Sequence, residues 1–322
     1  MVRDQVSLRE DRGGRIRSVL SRIQSPDAAG IGFTVLTASA YASMDVTAKL
    51  AYRGGLNVAT LLAVRFLGAG LMLLLLGQAL GVGPRPSGRR ALRLLTPGAV
   101  GYATESFLLN SALHRMAVGP VILIFYAYPS IVAVTAFLIG REGMTPRKLT
   151  ALVLSMVGVS ILLSFPTKGM NVPGVLLALG AAIAFATYTL VAERAIEGVH
   201  NLLFSGFVLL GAGTSIATFG TGLGTVHMGM RAASWGWVFL HLLLISLAVV
   251  ALMGAITRLG ATRASIGNTL EPALAVVLAT IVLGERLGPL QILGGLVLVV
   301  AIALLPLAGR ATAARTKIPV AE

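Results

Sequence analysis

Residues 57–80 read NVATLLAVRFLGAGLMLLLLGQAL, a run of 24 positions with one charge, Arg65. About twenty apolar residues suffice for an α-helix to cross roughly 30 Å of hydrocarbon. A helix is the economical crossing because it satisfies its own backbone hydrogen bonds where water is absent. Nine further apolar segments flank this one, at 28–50, 92–114, 118–139, 148–165, 172–193, 201–223, 235–257, 262–283 and 289–308. Clusters of Gly, Pro and charge separate them, such as Arg53-Gly-Gly, Gly83-Pro-Arg-Pro-Ser-Gly-Arg-Arg and Arg141-Glu-Gly-Met-Thr-Pro, and the loops are too short to hold a soluble domain. A membrane β-barrel would instead show alternating segments of about ten residues. The pattern predicts an all-α integral membrane protein of ten transmembrane helices, with polar tails at residues 1–27 and 309–322.

Composition agrees. Of 322 residues 56% are hydrophobic and 12% charged, with mean hydropathy +0.87, whereas soluble domains carry about a quarter of their residues charged. The net charge of +14 is dispersed over loops and tails and accompanies no nucleic-acid recognition motif. It reads as a topology signal. With the N-terminus inside, 19 Lys and Arg fall on the cytoplasmic side, 6 on the other, and Arg65 within a segment. Basic residues gather on the inner side of a membrane, so both termini are expected in the cytoplasm and the protein in the inner, or plasma, membrane. The arginine-rich start lacks the apolar core of a signal peptide. Trp235 and Trp237 then sit at the outer end of their segment, where interfacial tryptophans belong.

The chain also repeats itself. Laying it on itself with Arg115 on Arg258 brings Pro129 onto Pro272, Glu142 onto Glu285 and Pro146 onto Pro289 without a gap. Each half, 28–165 and 171–308, holds five segments, an odd number, so the second copy must be inverted relative to the first. Inverted repeats of this kind, rocking about a midplane site, are a common plan of secondary transporters.

Several residues in the spans could bind or move a solute. Pro129 and Pro272 lie near the middle of segments 4 and 9. A mid-helix proline frees the carbonyl four residues back, here on Phe125 and Asn268, and in hydrocarbon that group needs a new donor. The pair marks either two packing kinks or the two sides of a binding site. Glu271 immediately precedes Pro272, and Tyr128 is its repeat mate. Glu105 is a second acid near mid-depth. A carboxylate there costs roughly 2.5–3.5 kcal/mol, so each acid either serves a substrate ammonium group or a proton, or is held by neighbours such as Asn110 or Asn268. Thr34, Thr37, Tyr41 and Asp45 form a stripe on one helical face, and Thr187, Tyr188 and Thr189 occupy the corresponding place in segment 6. Asp45 can pair with Lys49 one turn on, or with Arg65 at similar depth, as a structural ion pair or as an outer gate. The candidate substrate-binding set is Tyr41, Glu105, Tyr128, Pro129, Tyr188, Asn268, Glu271 and Pro272.

Other chemistry is not expected. The chain has no cysteine, and its four histidines lack metal-ligand spacing. His241 alone lies within a span and reads as a satisfied histidine near the interface. No GxxxxGK[ST] loop and no GxSxG are present, so neither ATP, a cofactor nor an enzymatic nucleophile is indicated. A lipid-acting membrane enzyme would want clustered acids or histidines at the interface.

The stretch Leu113-His-Arg-Met-Ala-Val-Gly…Tyr128-Pro-Ser…Gly140-Arg-Glu-Gly-Met-Thr-Pro resembles the first repeat of the EamA-type transporters of the drug/metabolite transporter superfamily. Its partner Thr257-Arg-Leu-Gly-Ala…Glu271-Pro-Ala…Leu283-Gly-Glu-Arg-Leu-Gly-Pro-Leu-Gln-Ile-Leu-Gly-Gly resembles the second. Gly140-Arg-Glu departs from the usual Gly-Glu-Arg, and Tyr41 and Phe185 replace a tryptophan often seen in those helices. The resemblance implies ten helices around a central cavity and, often, export of amino acids or other small metabolites. Exchangers of sugar phosphates or nucleotide sugars in the same superfamily need several basic groups in the cavity, and here Arg65 is the one intramembrane candidate. The partners implied are a small-molecule substrate and the lipid bilayer, with a proton as candidate coupling ion. Reporter fusions should place the N-tail, loops 2–3 and 4–5 and the C-tail in the cytoplasm; an external C-terminus would make the span count odd and remove the inverted repeat.

Overall fold

The computed structural model describes residues 26–53, 57–83, 86, 88–113, 115–116, 118–163, 170–227, 234–283 and 288–304. The expected tails and Glu285 lie outside the described residues, apart from Pro26 and Asp27 at the start of the first helix. Every regular element among the described residues is helical: α1 Pro26–Arg53, α2 Val58–Ala79, α3 Gly88–Thr96, a π-helical turn Pro97–Tyr102, α4 Ala103–Leu113, α5 Val118–Phe125, α6 Tyr128–Leu138, α7 Pro146–Leu162, α8 Val172–Ala195, α9 Asn201–Gly222, α10 Ser234–Leu259, α11 Ala261–Asn268, α12 Leu270–Leu283 and α13 Pro289–Ala303.

Local chemistry explains the boundaries. Asn57 starts α2 by accepting from the amides of Ala59 and Thr60 at 2.8 and 3.4 Å. Thr145 does the same for α7 through Lys148 at 3.2 Å, and Asn171 for α8 through Gly174 at 2.9 Å. Each side chain satisfies an amide that has no partner within its own helix. Six stretches are long and apolar enough to cross a bilayer: Val58–Ala79, Val121–Leu138, Val172–Ala195, Asn201–Gly222, Trp235–Leu259 and Ala261–Val282. The other four segments expected from the sequence do not reach that combination of length and apolarity. Helix α1 carries Asp45, Lys49 and Arg53, and the stretch 88–113 carries Arg89, Arg90, Arg93 and Glu105. Helices α7 and α13 have 17 and 15 residues.

Both proline breaks form, and they are turns between separate helices. Helix α5 stops at Phe125, the chain turns at Tyr126–Ala127, and Pro129 falls in the first turn of α6. There its missing N–H costs nothing, because first-turn amides have no helical partner. In the second half the break is Thr269, between α11 and α12. Its amide and hydroxyl both donate to the Ile266 carbonyl, at 3.2 and 2.6 Å. Tyr126 and Thr269 occupy equivalent positions in the register that lays Pro129 on Pro272.

The helices pack mainly between the two sequence halves: α2 against α9, α1 against α10, α7 against α13, and α8 against α4, α5 and α6. Five-helix bodies that rock as units are therefore not what the packing isolates. One crossing carries the repeat into three dimensions. A Cβ on Gly70 would lie 2.6 Å from the Leu210 amide, and one on Gly213 would lie 2.7 Å from the Leu67 amide. The repeat register lays Gly70 on Gly213 and Leu67 on Leu210, so each contact is the mate of the other. Substituting Ala at Gly70 or Gly213 should each destabilise the protein by about 1–3 kcal/mol through overpacking. Gly32→Ala, with nothing within 4 Å of the new methyl, should be neutral in the same thermal-unfolding comparison in detergent.

Candidate functional site

The two breaks bring their neighbours to one place at mid-depth. Tyr128, which opens α6, is 1% exposed, and Asn268, which closes α11, is 2% exposed. Tyr128 donates its hydroxyl to the Ser265 carbonyl at 3.4 Å. It must therefore accept at the same oxygen, and Asn268 Nδ2 supplies the donor at 3.3 Å. The same nitrogen donates to Glu271 Oε2 at 3.2 Å. Both amide protons of Asn268 are thus committed, which fixes the orientation of the amide. Its Oδ1 is buried without a hydrogen-bond partner among the described residues. Such an orphaned acceptor costs about 1–3 kcal/mol.

Aromatic rings join this polar group to α1, α2, α8 and the π-turn. Tyr128 meets Phe185 edge-on at 4.8 Å, and Phe185 touches Tyr188, Phe125 and Tyr102 at 5.7, 5.7 and 6.3 Å. Tyr102 stacks on Tyr188 at 5.2 Å and leans on Phe66 at 5.3 Å. The Tyr41 and Tyr102 hydroxyls lie 3.2 Å apart. The Tyr188 hydroxyl is buried and, like Asn268 Oδ1, has no partner among the described residues. Hydrogen bonds and ring contacts thus link Glu271, through Asn268 and Tyr128, to Phe185, Tyr188, Tyr102 and Tyr41.

The polar stripes resolve into two kinds of residue. Thr34 and Thr37 donate to the carbonyls of Gly30 and Phe33, and Thr187 and Thr189 to those of Ile183 and Ala186. Their hydroxyls serve their own helices. Among the described side chains of the stripes, Tyr41 and Tyr188 join the aromatic cluster. Glu105, 5% exposed, accepts from Ser106 at 3.0 Å. Asn110, expected as its partner, donates instead to the Ser106 carbonyl at 2.7 Å.

Tyr102 was not among the residues singled out from the sequence. Its position depends on the π-turn, which begins at Pro97 and packs against α9. Gly98 abuts the Val208 carbonyl, Ser215 donates to the Ala99 carbonyl at 3.0 Å, and a Cβ on Gly101 would come 2.9 Å from Tyr188 Cβ. The available signal was Thr96-Pro97-Gly98 in the middle of segment 3.

Arg65 points to a residue from the other half. Its Nη1 lies 3.4 Å from His241 Nδ1, and His241 Nε2 lies 3.1 Å from Thr47 Oγ1. Arginine only donates, so Nδ1 is the acceptor and the ring proton sits on Nε2. Thr47 in turn donates to the Ser43 carbonyl at 2.7 Å. The guanidinium also lies over the Phe66 ring at 4.8 Å. The side chains of Asp45 and Lys49, the expected ion-pair partners, lie outside the described residues.

An EamA-like transporter family model matches residues 28–164 and again 172–306. The chain belongs to that family. It is 27% identical over 205 residues to the "Uncharacterized transporter YdfC" of Bacillus subtilis, covering 63% of this chain and 67% of that one. It is 25% identical over 207 residues to the "Uncharacterized transporter sll1319" of a Synechocystis species, covering 62% and 61% of the two chains. An uncharacterized transporter of Clostridium kluyveri is 24% identical over 285 residues, covering 80% and 86%. One crystal structure superposes with a TM-score of 0.73 at 18% identity over 88% of this chain and 98% of its own, a likeness of fold. As an EamA-like transporter the protein is a multi-pass membrane protein with a small-molecule substrate and a lipid environment, and its family and relatives point to transport rather than catalysis.

Replacing His241 by Leu should remove the acceptor that faces the Arg65 guanidinium and lower stability by about 1–3 kcal/mol. In a double-mutant cycle His241→Leu combined with Arg65→Leu should cost less than the sum of the single changes. Additive losses in thermal unfolding would dissolve the pair.

Proposed function

We propose that this EamA-like transporter is a secondary exporter of small metabolites such as amino acids, acting by alternating access across the inner membrane. Ten spans form two inverted repeats, 28–165 and 171–308, with both termini cytoplasmic. The observation that carries this reading is the meeting of two helix breaks in one buried volume. Tyr128, Pro129, Asn268, Glu271 and Pro272 gather there, completed by Tyr41, Glu105 and Tyr188. The reciprocal contacts of Gly70 and Gly213 and the double family match support the repeat.

The chemistry of the volume suits a zwitterion. An ammonium group finds acceptors in Glu271 and in the orphaned Asn268 Oδ1, and cation–π attraction from the tyrosine rings adds to them. Arg65 offers the matching donor for a carboxylate. A proton held on Glu271 or Glu105 would provide the coupling, since a midplane acid that exchanges a substrate ammonium for a proton is never left as an unpaired charge. Access alternates when the helix halves on one side of the breaks part while those on the other side close.

Glu271→Gln keeps the shape and removes the charge. It should leave expression and monodispersity intact, while lowering uptake into proteoliposomes at least about tenfold, a loss of ~1.4 kcal/mol in transition-state binding, or abolishing its dependence on pH. Uptake and counterflow are to be measured over a metabolite panel with and without a pH gradient. Parent-like transport by the variant between about pH 5.5 and 8, the range in which a tuned carboxyl titrates, would make the acid structural.

A further inference from the structure

Of each broken helix, one half runs toward the end of the molecule that carries Asp27. These are α6 after the first break and α11 before the second, and the two pack on one another. Their far ends converge on a single carboxylate. The amide of Ala261, the first residue of α11, donates to Glu193 Oε1 at 2.8 Å. Arg141, just beyond the end of α6, places Nη1 3.9 Å from Glu193 Oε2 and donates to the Leu190 carbonyl at 2.8 Å. Glu193 and Leu190 both belong to α8, the helix that also carries Phe185 and Tyr188.

The junction is built to admit these charges. Gly260 takes φ +82°, and a Cβ there would lie 3.0 Å from Glu142 Oε1 and 3.3 Å from Glu193 Oε1. Two carboxylates thus approach the start of α11, where the helix dipole favours negative charge. Glu142 is itself held by Lys148 at 2.6 Å. Arg263, in the first turn of α11, pairs with Asp27 of α1 at 3.0 Å. Yet the latch is not fully satisfied: Arg141 Nε is buried without a hydrogen-bond partner among the described residues. A closure with an unpaired donor is shallower than one in which every group is used.

We propose that Glu193 is a positioning residue for transport: it clamps the inner ends of α6 and α11 together, and its release opens the cytoplasmic mouth of the pathway. The proposal rests on the alternating-access reading above and names the contact that must break for it. Neither half-helix can leave the other while both are bound to one carboxylate on α8. The observed arrangement is the closed state of that mouth. Glu193 touches no atom of the central volume and acts only through the two half-helices.

The absence of native cysteine permits a direct test. A single Ser265→Cys reporter sits on α11, where the parent residue is 3% exposed, and a membrane-impermeant maleimide is added to inside-out vesicles. Glu193→Ala, which removes both contacts, should raise the labelling rate at least about fivefold by shifting the population toward the open mouth. Glu193→Gln retains an acceptor for Ala261 and loses the charge facing Arg141, so it should give a smaller rise. Arg141→Gln, which also loses the bond to the Leu190 carbonyl, should raise labelling at least as much, and the double variant should label no faster than Arg141→Gln alone, because the contact between the two residues is already gone. A merely structural defect would add in the double variant. Labelling within twofold of the parent in Glu193→Ala, or in Glu193→Gln should the alanine variant fail to fold, overturns the proposal; so does an additive double variant. The result is independent of the central site: a labelling rise with parent-like uptake by Glu271→Gln would keep the clamp and remove the proposed site, and flat labelling with uptake lost in Glu271→Gln would remove the clamp alone.

Discussion

In hydrocarbon a backbone amide or carbonyl has no water to bond, and nearly everything specific about this protein follows from the two places where its helices stop inside the apolar layer. At Tyr126–Ala127 and at Thr269 the regular ladder is interrupted, and the chain must supply substitutes at once. Thr269 does so with its own hydroxyl. Tyr128 reaches across to the Ser265 carbonyl in the other half. Satisfying backbone at a break therefore draws polar side chains to mid-depth, and these are the groups a solute would meet. The kinks and the proposed site share these groups.

The geometry around the breaks is repeated, but its chemistry is not. The turns fall at equivalent positions of the two copies, as do the glycine contacts between α2 and α9. Within that frame Tyr128 corresponds to Glu271, and Phe125 corresponds to Asn268. One break presents a phenol and a ring, the other a carboxylate and an amide. At the proposed site a substrate would meet unlike walls, aromatic on one side and carrying a carboxylate on the other, and that asymmetry would give it a defined orientation.

The parts of this arrangement written in sequence are those that depend on local chemistry. Apolar runs such as 57–80, the proline positions and the caps at Asn57, Thr145 and Asn171 are readable because propensity and period act over a few residues. Tyr41, Tyr128, Asn268 and Glu271 could be picked out because a polar group in a long apolar run is costly wherever it points. Thr34, Thr37, Thr187 and Thr189 met the same test and proved to be satisfied by their own helices, since a threonine can return its hydroxyl to the preceding turn and a tyrosine cannot. Tyr102 looked like an ordinary span residue; its place depends on a π-turn wedged against α9, a tertiary fact. Glu193, at the end of its apolar segment, carries no local signal of its role. What it touches, Ala261 and Arg141, belongs to distant stretches of the chain on either side of it.

The cross-half contacts differ in kind from one end to the other. Toward the Lys49 end of α1, Arg65, His241 and Thr47 form a chain of hydrogen bonds around a neutral ring, backed by Thr60 and the His227 backbone at 3.2 and 2.9 Å. Toward the Asp27 end the contacts are between formal charges: Asp27 with Arg263, and Glu193 with Arg141 at longer range. Partly exposed ion pairs contribute little net stability, because each partner is rehydrated when they separate. His241 is fully buried, so parting it from the half-buried Arg65 would strand an imidazole acceptor. Under the proposed alternating access, and among the described residues, the Asp27 end would be the cheaper one to open, with the contact built on His241 as the pivot about which it moves.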